Sequence, residues 1–366
     1  MRCIRTIATA AVLATSLGAV VGGTIAIPSA HAQTVTMSLA KGTVTASTHA
    51  ADGSKPVVGV NLYVNENYSL DDVKTWGARD LKYIHDTLGL KAVAIDWDYN
   101  VPNRYADVVR ASDSRTPTIA DIRALTDIAQ SYGMRVEYRV LFAINNSDSR
   151  DGSIEPRNLS DWLDWLLATE TPALKLADNE RVPEFVVGSE MASIDQSPRW
   201  GKFLKEAAKI YKGTLSYAQW GGRTWSGGFF SRYRVLLPTA EYGASAYPPI
   251  ALPPDASVKL LTRAWEDFLT DHTPDSLLRR TAIDEIGIPA LAGSYENPWQ
   301  WDNLTGTADP TIQARWFTAA CDAVTAEHMR GIYFWSFALN DDPAKPYDSL
   351  VGFLGRPASL DAIKSC

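Results

Sequence analysis

Cysteine is scarce here, at 3 in 366 residues, and so is histidine, at 5. Past the N-terminal leader only His49, His85, His272 and His328 remain, and no H-E-x-x-H pair exists to hold a catalytic zinc. No G-x-G-x-x-G and no G-x-x-x-x-G-K loop is present to cradle a nucleotide phosphate, and no G-x-S-x-G to carry a serine nucleophile. Basic charge is in deficit, 35 Lys and Arg against 42 Asp and Glu, for a net charge of −7. That balance argues against nucleic acid or anionic lipid as the main partner and suits a neutral substrate. After the leader, no run is apolar enough to span a bilayer. The sequence predicts neither a metal nor a cofactor.

What is present starts with an export signal. Arg2 and Arg5 precede an apolar, small-residue stretch from Ile7 to about Pro28, closed by Ala30-His31-Ala32. That order predicts cleavage between Ala32 and Gln33 and a product that is extracellular or in the cell wall. An uncleaved anchor is the alternative, but Gly, Ser, Thr and Pro dilute the stretch. Cleavage removes two arginines and no acid, taking the formal charge from −7 to −9. The expected organisation is a signal peptide over 1–32, a flexible Ser/Thr/Ala/Gly-rich segment over 33–55, and one catalytic domain over 56–366, acting as a monomer free of the membrane. Cys3 leaves with the leader, so Cys321 and Cys366 remain. In an oxidising compartment they could pair and staple the last residue to a late helix, or stay as a buried and a free thiol.

From residue 57 onward, short β-branched or aromatic runs alternate with longer stretches of helical spacing, the mark of βα units and a parallel sheet. Strands are predicted at 57–62, 90–97, 135–142, 184–188, 213–219, 242–247, 281–286 and 331–337. Helices are predicted at 69–88, where Ser69 is an N-cap, at 118–132 with Gly133 as its stop, around Trp162 and Trp165, and at 198–211, 256–269 and 311–328. Eight such units fit a single (β/α)8 barrel of the TIM type, an α/β fold.

In such a barrel the working groups project from the C-terminal strand ends. Two glutamates stand there behind apolar runs: Glu190 after Phe185-Val186-Val187-Gly188-Ser189, and Glu285 within Thr281-Ala282-Ile283-Asp284-Glu285. A carboxylate is costly to bury without a partner or a task. An isolated one is more readily explained by an arginine in the barrel mouth. A pair facing one cleft can instead break a glycosidic bond, one attacking the anomeric carbon and the other shuttling the proton, at about 5–5.5 Å separation for retention. Tryptophan supports a sugar ligand. There are 12, and Trp97, Trp220, Trp225, Trp299, Trp301 and Trp335 fall at strand ends or loops, where ring faces can stack on C–H faces of a sugar. Trp162, Trp165, Trp200, Trp265 and Trp316 lie on helices and are expected to pack. Asn61, Asp96, Arg139, Asn145, Gln219 and Tyr247 also end strands. Arg139 and Tyr247 could hydrogen-bond a catalytic carboxylate. Asn61, Asp96, Trp97, Arg139, Trp220, Tyr247, Trp299 and Trp335 make up the expected substrate-binding set.

At these residues the sequence resembles clan A of the glycoside hydrolases, which implies acid/base Glu190, nucleophile Glu285 and an active-site aromatic at Trp335. Within the clan it resembles glycoside hydrolase family 113, whose known members act on β-1,4-mannan, and less closely family 5. The stretches that carry this are Val187-Gly188-Ser189-Glu190-Met191, Gly213-Thr214-Leu215-Ser216-Tyr217-Ala218, Ser245-Ala246-Tyr247-Pro248-Pro249, Asp284-Glu285-Ile286-Gly287, Asn297-Pro298-Trp299, Gln313-Ala314-Arg315-Trp316 and Gly331-Ile332-Tyr333-Phe334-Trp335. One departure is Ser189, where most clan members place an Asn that contacts the sugar 2-hydroxyl. The resemblance implies a retaining hydrolase of a β-linked polysaccharide or oligosaccharide. A furanosidase acting on cell-wall galactan or arabinan is the alternative substrate class. A non-catalytic sugar-binding barrel would keep the tryptophans but lose one carboxylate, and both are kept.

Overall fold

In a computed structural model, describing residues 55–112, 114–145, 151–221, 239, 241–271, 273–346 and 349–366, the apolar runs become eight parallel strands. These are β1 (Val57–Val64), β2 (Ala92–Val101), β3 (Arg135–Ile144), β4 (Glu184–Ser189), β5 (Thr214–Gly221), β6 (Tyr242–Ala246), β7 (Thr281–Ile286) and β8 (Gly331–Ala338). Each pairs with its sequence neighbour, and β8 closes on β1, so the sheet is the expected (β/α)8 barrel. The segments 1–32 and 33–54, with the leader and Cys3, lie outside the described residues, as do His49, Trp225 and His272.

The helices start where the sequence supplies caps. Ser69 Oγ accepts from Asp72 N ahead of α1 (Leu70–Lys82). Thr118 and Asp121 cap each other's backbone at α2 (Ile119–Ser131), and Gly133 follows at φ 69°. Asp309 caps α7 (Pro310–Ala326), where Pro310 loses no hydrogen bond in the first turn. The others are α3 (Leu159–Asn179), α4 (Trp200–Ile210), α5 (Val258–Thr270), the short α6 (Asp275–Leu278) and the terminal α8 (Pro357–Lys364). The helix expected over 69–88 loosens at its end into a π turn at Tyr83–Thr87. Neither α6 nor α8 has a sequence period long enough to read. Cys366, just past α8, is bonded to Cys321 of α7, with Cα atoms 5.4 Å apart.

Strand alternation sorts the side chains. Val60, Leu62, Ile95, Trp97, Tyr138, Val140, Phe185 and Val187 face outward and are buried under the helices, together with Trp162, Trp200, Trp265 and Trp316. Trp165 departs from the expected packing. It is 45% exposed, with the Arg110 guanidinium over its ring at 5.4 Å, because its helix position faces away from the barrel. The inward faces are polar where many barrels are aliphatic. Glu137, Arg139, Glu184, Asp96, Asp284, Asn61, Ser216 and Ser245 are all buried.

Candidate active site

Three strands bear the site on register shifts. β4 carries one extra residue against β5 between Val186 and Ser189. β7 carries one against both β6 and β8, between Ile283 and Ile286. β8 does so against β1 beside Trp335, where the Trp335–Ser336 peptide is cis. A bulge lets consecutive residues point the same way. Asp284 and Glu285 therefore both enter the barrel, and Glu190 turns into the mouth with φ 58°. That left-handed backbone is costly for a side chain with a Cβ and concentrates at functional positions. Gly243 on β6 makes the β7 bulge possible. A Cβ there would lie 1.7 Å from Asp284 Oδ2.

Glu285 is 8% exposed, and each of its oxygens has a donor. Arg139 Nη2 donates to Oε2 at 2.6 Å and the Tyr247 hydroxyl to Oε1 at 2.5 Å. Arg139 is itself fixed, Nε donating to Ser189 Oγ and Nη2 to Ser245 Oγ, both at 3.2 Å. Burial works against the charge of Arg139, but Glu285, Asp96 and Asp284 outweigh it and keep it protonated. Burial pushes the Tyr247 hydroxyl well up, and the charges of Glu285 and Glu190 add to this, so both carboxylates act on one phenol. Glu190 is partly exposed, and its backbone N donates to Ala218 O at 2.8 Å. The bulged turn is thereby anchored while its carboxyl remains at the mouth.

Aromatic rings wall the same opening. Trp220 stacks on Tyr247 with centroids 5.5 Å apart and meets Trp299 edge-on at 6.4 Å. Trp301 meets Tyr247 at 5.7 Å and fills the space beside Gly287, where a Cβ would lie 2.7 Å from its ring. Trp335 lies 5.7 Å from the Arg139 guanidinium carbon and 5.2 Å from the Tyr63 ring. Trp220, Trp299, Trp301 and Trp335 are all partly exposed.

The structure thus brings Glu190, Glu285, Arg139, Tyr247, Trp220, Trp299 and Trp335 together, with Arg139 and Tyr247 holding Glu285 rather than facing open cleft. It corrects three expectations of substrate contact. Trp97 is fully buried outside the barrel, edge-on to Tyr138 at 5.5 Å and Phe185 at 6.2 Å, because odd positions of β2 face the helices. Asn61 is fully buried below the site, donating to the Asp284 backbone oxygen at 3.1 Å. Asp96 is equally buried, 3.7 Å from Arg139 Nη1. Asn145 pairs with Asn100 through two amide hydrogen bonds, and Gln219 is buried. Sequence reasoning missed Tyr63, Asp98, Ser245 and Asp284. Asp98 was within reach, since two residues beyond an inward Asp96 is inward again.

Below the site, Glu184 bonds Arg330 and Arg135. Burial, then the charge of Glu184, pushes the Glu137 carboxyl up to about 8. Among the described residues, no His, Cys, Asp and Glu group could hold a metal ion.

The sequence model for Glycoside Hydrolase Family 113 matches residues 72–349. A solved β-1,4-mannanase of that family superposes with TM-score 0.70 at 18% identity, over 85% of this chain and 98% of the other. A β-1,4-mannanase complex from the family gives TM-score 0.67 at 16%, over 85% and 98%. The β-mannanase AaManA from Alicyclobacillus acidocaldarius gives 0.65 at 15%, over 86% and 97%. At such identities the likeness speaks to the fold. No curated protein matches the chain.

Proposed function

The chain belongs to glycoside hydrolase family 113, and from that premise we propose that it is an exported, retaining hydrolase of β-mannan-type polysaccharide. Glu285 attacks the anomeric carbon, and Glu190 protonates the departing glycosidic oxygen. Water then attacks the glycosyl ester, giving its proton to Glu190, and Glu285 leaves as a carboxylate. The observation that carries this reading is the pair of donors on Glu285, one per oxygen, from Arg139 and Tyr247. A carboxylate gripped at both oxygens is fixed in plane and aimed, as a nucleophile must be. Glu190, less buried than Glu285 and at the open mouth, suits proton exchange with leaving group and water. The aromatic wall supplies the stacking faces a sugar chain needs, and the relatives named above act on β-1,4-mannan. Export is supported by the basic and apolar leader and by the Cys321–Cys366 bond, which persists in an oxidising compartment.

The test is to incubate the chain from Gln33 onward with β-mannan, β-glucan, xylan, galactan and an actinobacterial-type wall polysaccharide, following the released sugars and the anomer first formed. Mannan turnover with retention is expected. Release from galactan alone would replace the substrate, and an inverted first product would replace the mechanism. Glu190→Gln and Glu285→Gln should each lower kcat by orders of magnitude with an unchanged melt. Near-normal turnover in either would overturn the assignment of that residue.

A further inference from the structure

One carboxylate at the barrel mouth has no part in that mechanism. Asp98 stands two residues past Asp96 on β2, on the same inward face and one step nearer the C-terminal end. It is 7% exposed. Its Oδ2 accepts from the Tyr63 hydroxyl at 2.6 Å, and Oδ1 accepts from none of the described residues. Tyr63 in turn lies against Trp335, which is beside Arg139, which holds Glu285. These contacts join Asp98 to the nucleophile along one wall of the cleft. Thr116 Oγ1 donates to the Asp98 backbone oxygen at 2.7 Å, holding the strand end that presents the carboxyl.

No lysine or arginine among the described residues forms an ion pair with Asp98. A nearly buried acid with one oxygen left over at a cleft gains from a further donor. Fastening Tyr63 alone would not need a carboxylate, since an amide or hydroxyl could accept that bond. Two oxygens side by side, next to a ring that can stack a sugar face, match two neighbouring hydroxyls of a pyranose.

We propose that Asp98, braced by Tyr63, reads the ring hydroxyls of the sugar unit stacked on Trp335 and so sets glycone specificity. Burial raises the Asp98 carboxyl, while the Tyr63 hydrogen bond and the charge of Arg115 pull it back. The inference rests on the glycosidase reading above.

The experiment is a cycle between protein and substrate. The substrates are an aryl β-mannobioside and analogues lacking one hydroxyl on the ring that bears the aryl group. For wild type, removing one particular hydroxyl should lower kcat/KM by about 10- to 150-fold, the range for a hydrogen bond to a charged group. Asp98→Asn should lose a similar factor on the parent and little more on that analogue, and Tyr63→Phe should follow the same pattern more weakly. If Asp98→Asn melts early, Asp98→Glu takes its place in the cycle. Losses that multiply at every hydroxyl, or parent kinetics unchanged in Asp98→Asn, would overturn the inference alone. A wild-type enzyme inactive on every aryl β-glycoside and every polysaccharide of the panel would overturn the glycosidase reading and this inference with it.

Discussion

Tyr247→Phe isolates one hydrogen bond. The ring is fully buried, stacked on Trp220 and edge-on to Trp301, and Phe keeps those contacts. What disappears is the 2.5 Å bond to Glu285 Oε1. A hydrogen bond to a charged acceptor contributes about 1.5–3 kcal/mol. The bond is strongest when Glu285 is a free carboxylate and weaker when it is a glycosyl ester, because esterification removes the charge. Losing it therefore raises the free carboxylate relative to the ester. Deglycosylation regenerates that carboxylate and should slow by about 10- to 150-fold, at about 1.36 kcal/mol per tenfold. On an aryl β-glycoside with a good leaving group, kcat should drop, KM should drop with it, and the burst of released phenol should grow as the ester accumulates. Stopped-flow release and intact mass of the quenched enzyme measure both. A kcat within about threefold of wild type, or slower phenol release with no ester accumulation, would refute the reasoning.

Azide should restore turnover to Glu190→Ala on an activated aryl glycoside and yield a glycosyl azide of retained configuration, since a small anion can attack the ester without the missing base. No rescue would count against Glu190 as acid/base. Glu137 has a folded pKa of about 8 against an ordinary 4.5, so the folded state binds its proton more tightly. Its contribution to stability is complete below about pH 4.5 and is lost as pH rises through about 8. Glu137→Gln should flatten the fall of Tm over that window, and parallel melting curves for variant and wild type would contradict this. Replacing both Cys321 and Cys366 by Ala opens a loop of 45 residues, which chain entropy values at about 4 kcal/mol. The expected outcome is a Tm lower by several degrees with kcat unchanged, and an unaltered melt would show that the bond contributes little.

The barrel was legible because each strand is a short apolar run followed by a capped helix, and caps such as Ser69 and Thr118 are local chemistry. Glu190 and Glu285 stood out because a charged residue three positions past Val187 or two past Ile283, at the end of an apolar run, is expensive unless it works. What alternation could not yield was the bulges. Read with period two, Asp284 and Glu285 face opposite ways, whereas the shift at Ala244/Ser245 turns both inward. Trp97 failed for the opposite reason. Parity from an inward Asp96 puts it on the helix side, which its position at a strand end does not change. Trp165 lies three residues from the buried Trp162 but falls off the packed stripe, which composition alone does not reveal.

The polar barrel interior bears on how Glu285 is held. Arg139 has three acids acting on it, Glu285, Asp96 and Asp284. Burial raises both Asp96 and Asp284 above the ordinary carboxylate range, and Arg139 pulls both back. Of the three, only Glu285 accepts a hydrogen bond from Arg139. The geometry agrees, with Arg139 at 2.6 Å from Glu285 and 3.7 Å from Asp96. Gly243 belongs to the same arrangement, because the cavity it leaves admits the Asp284 carboxyl at the level where solvent is excluded. Arg139 thus makes its closest ion pair with Glu285, at the upper level of the barrel interior.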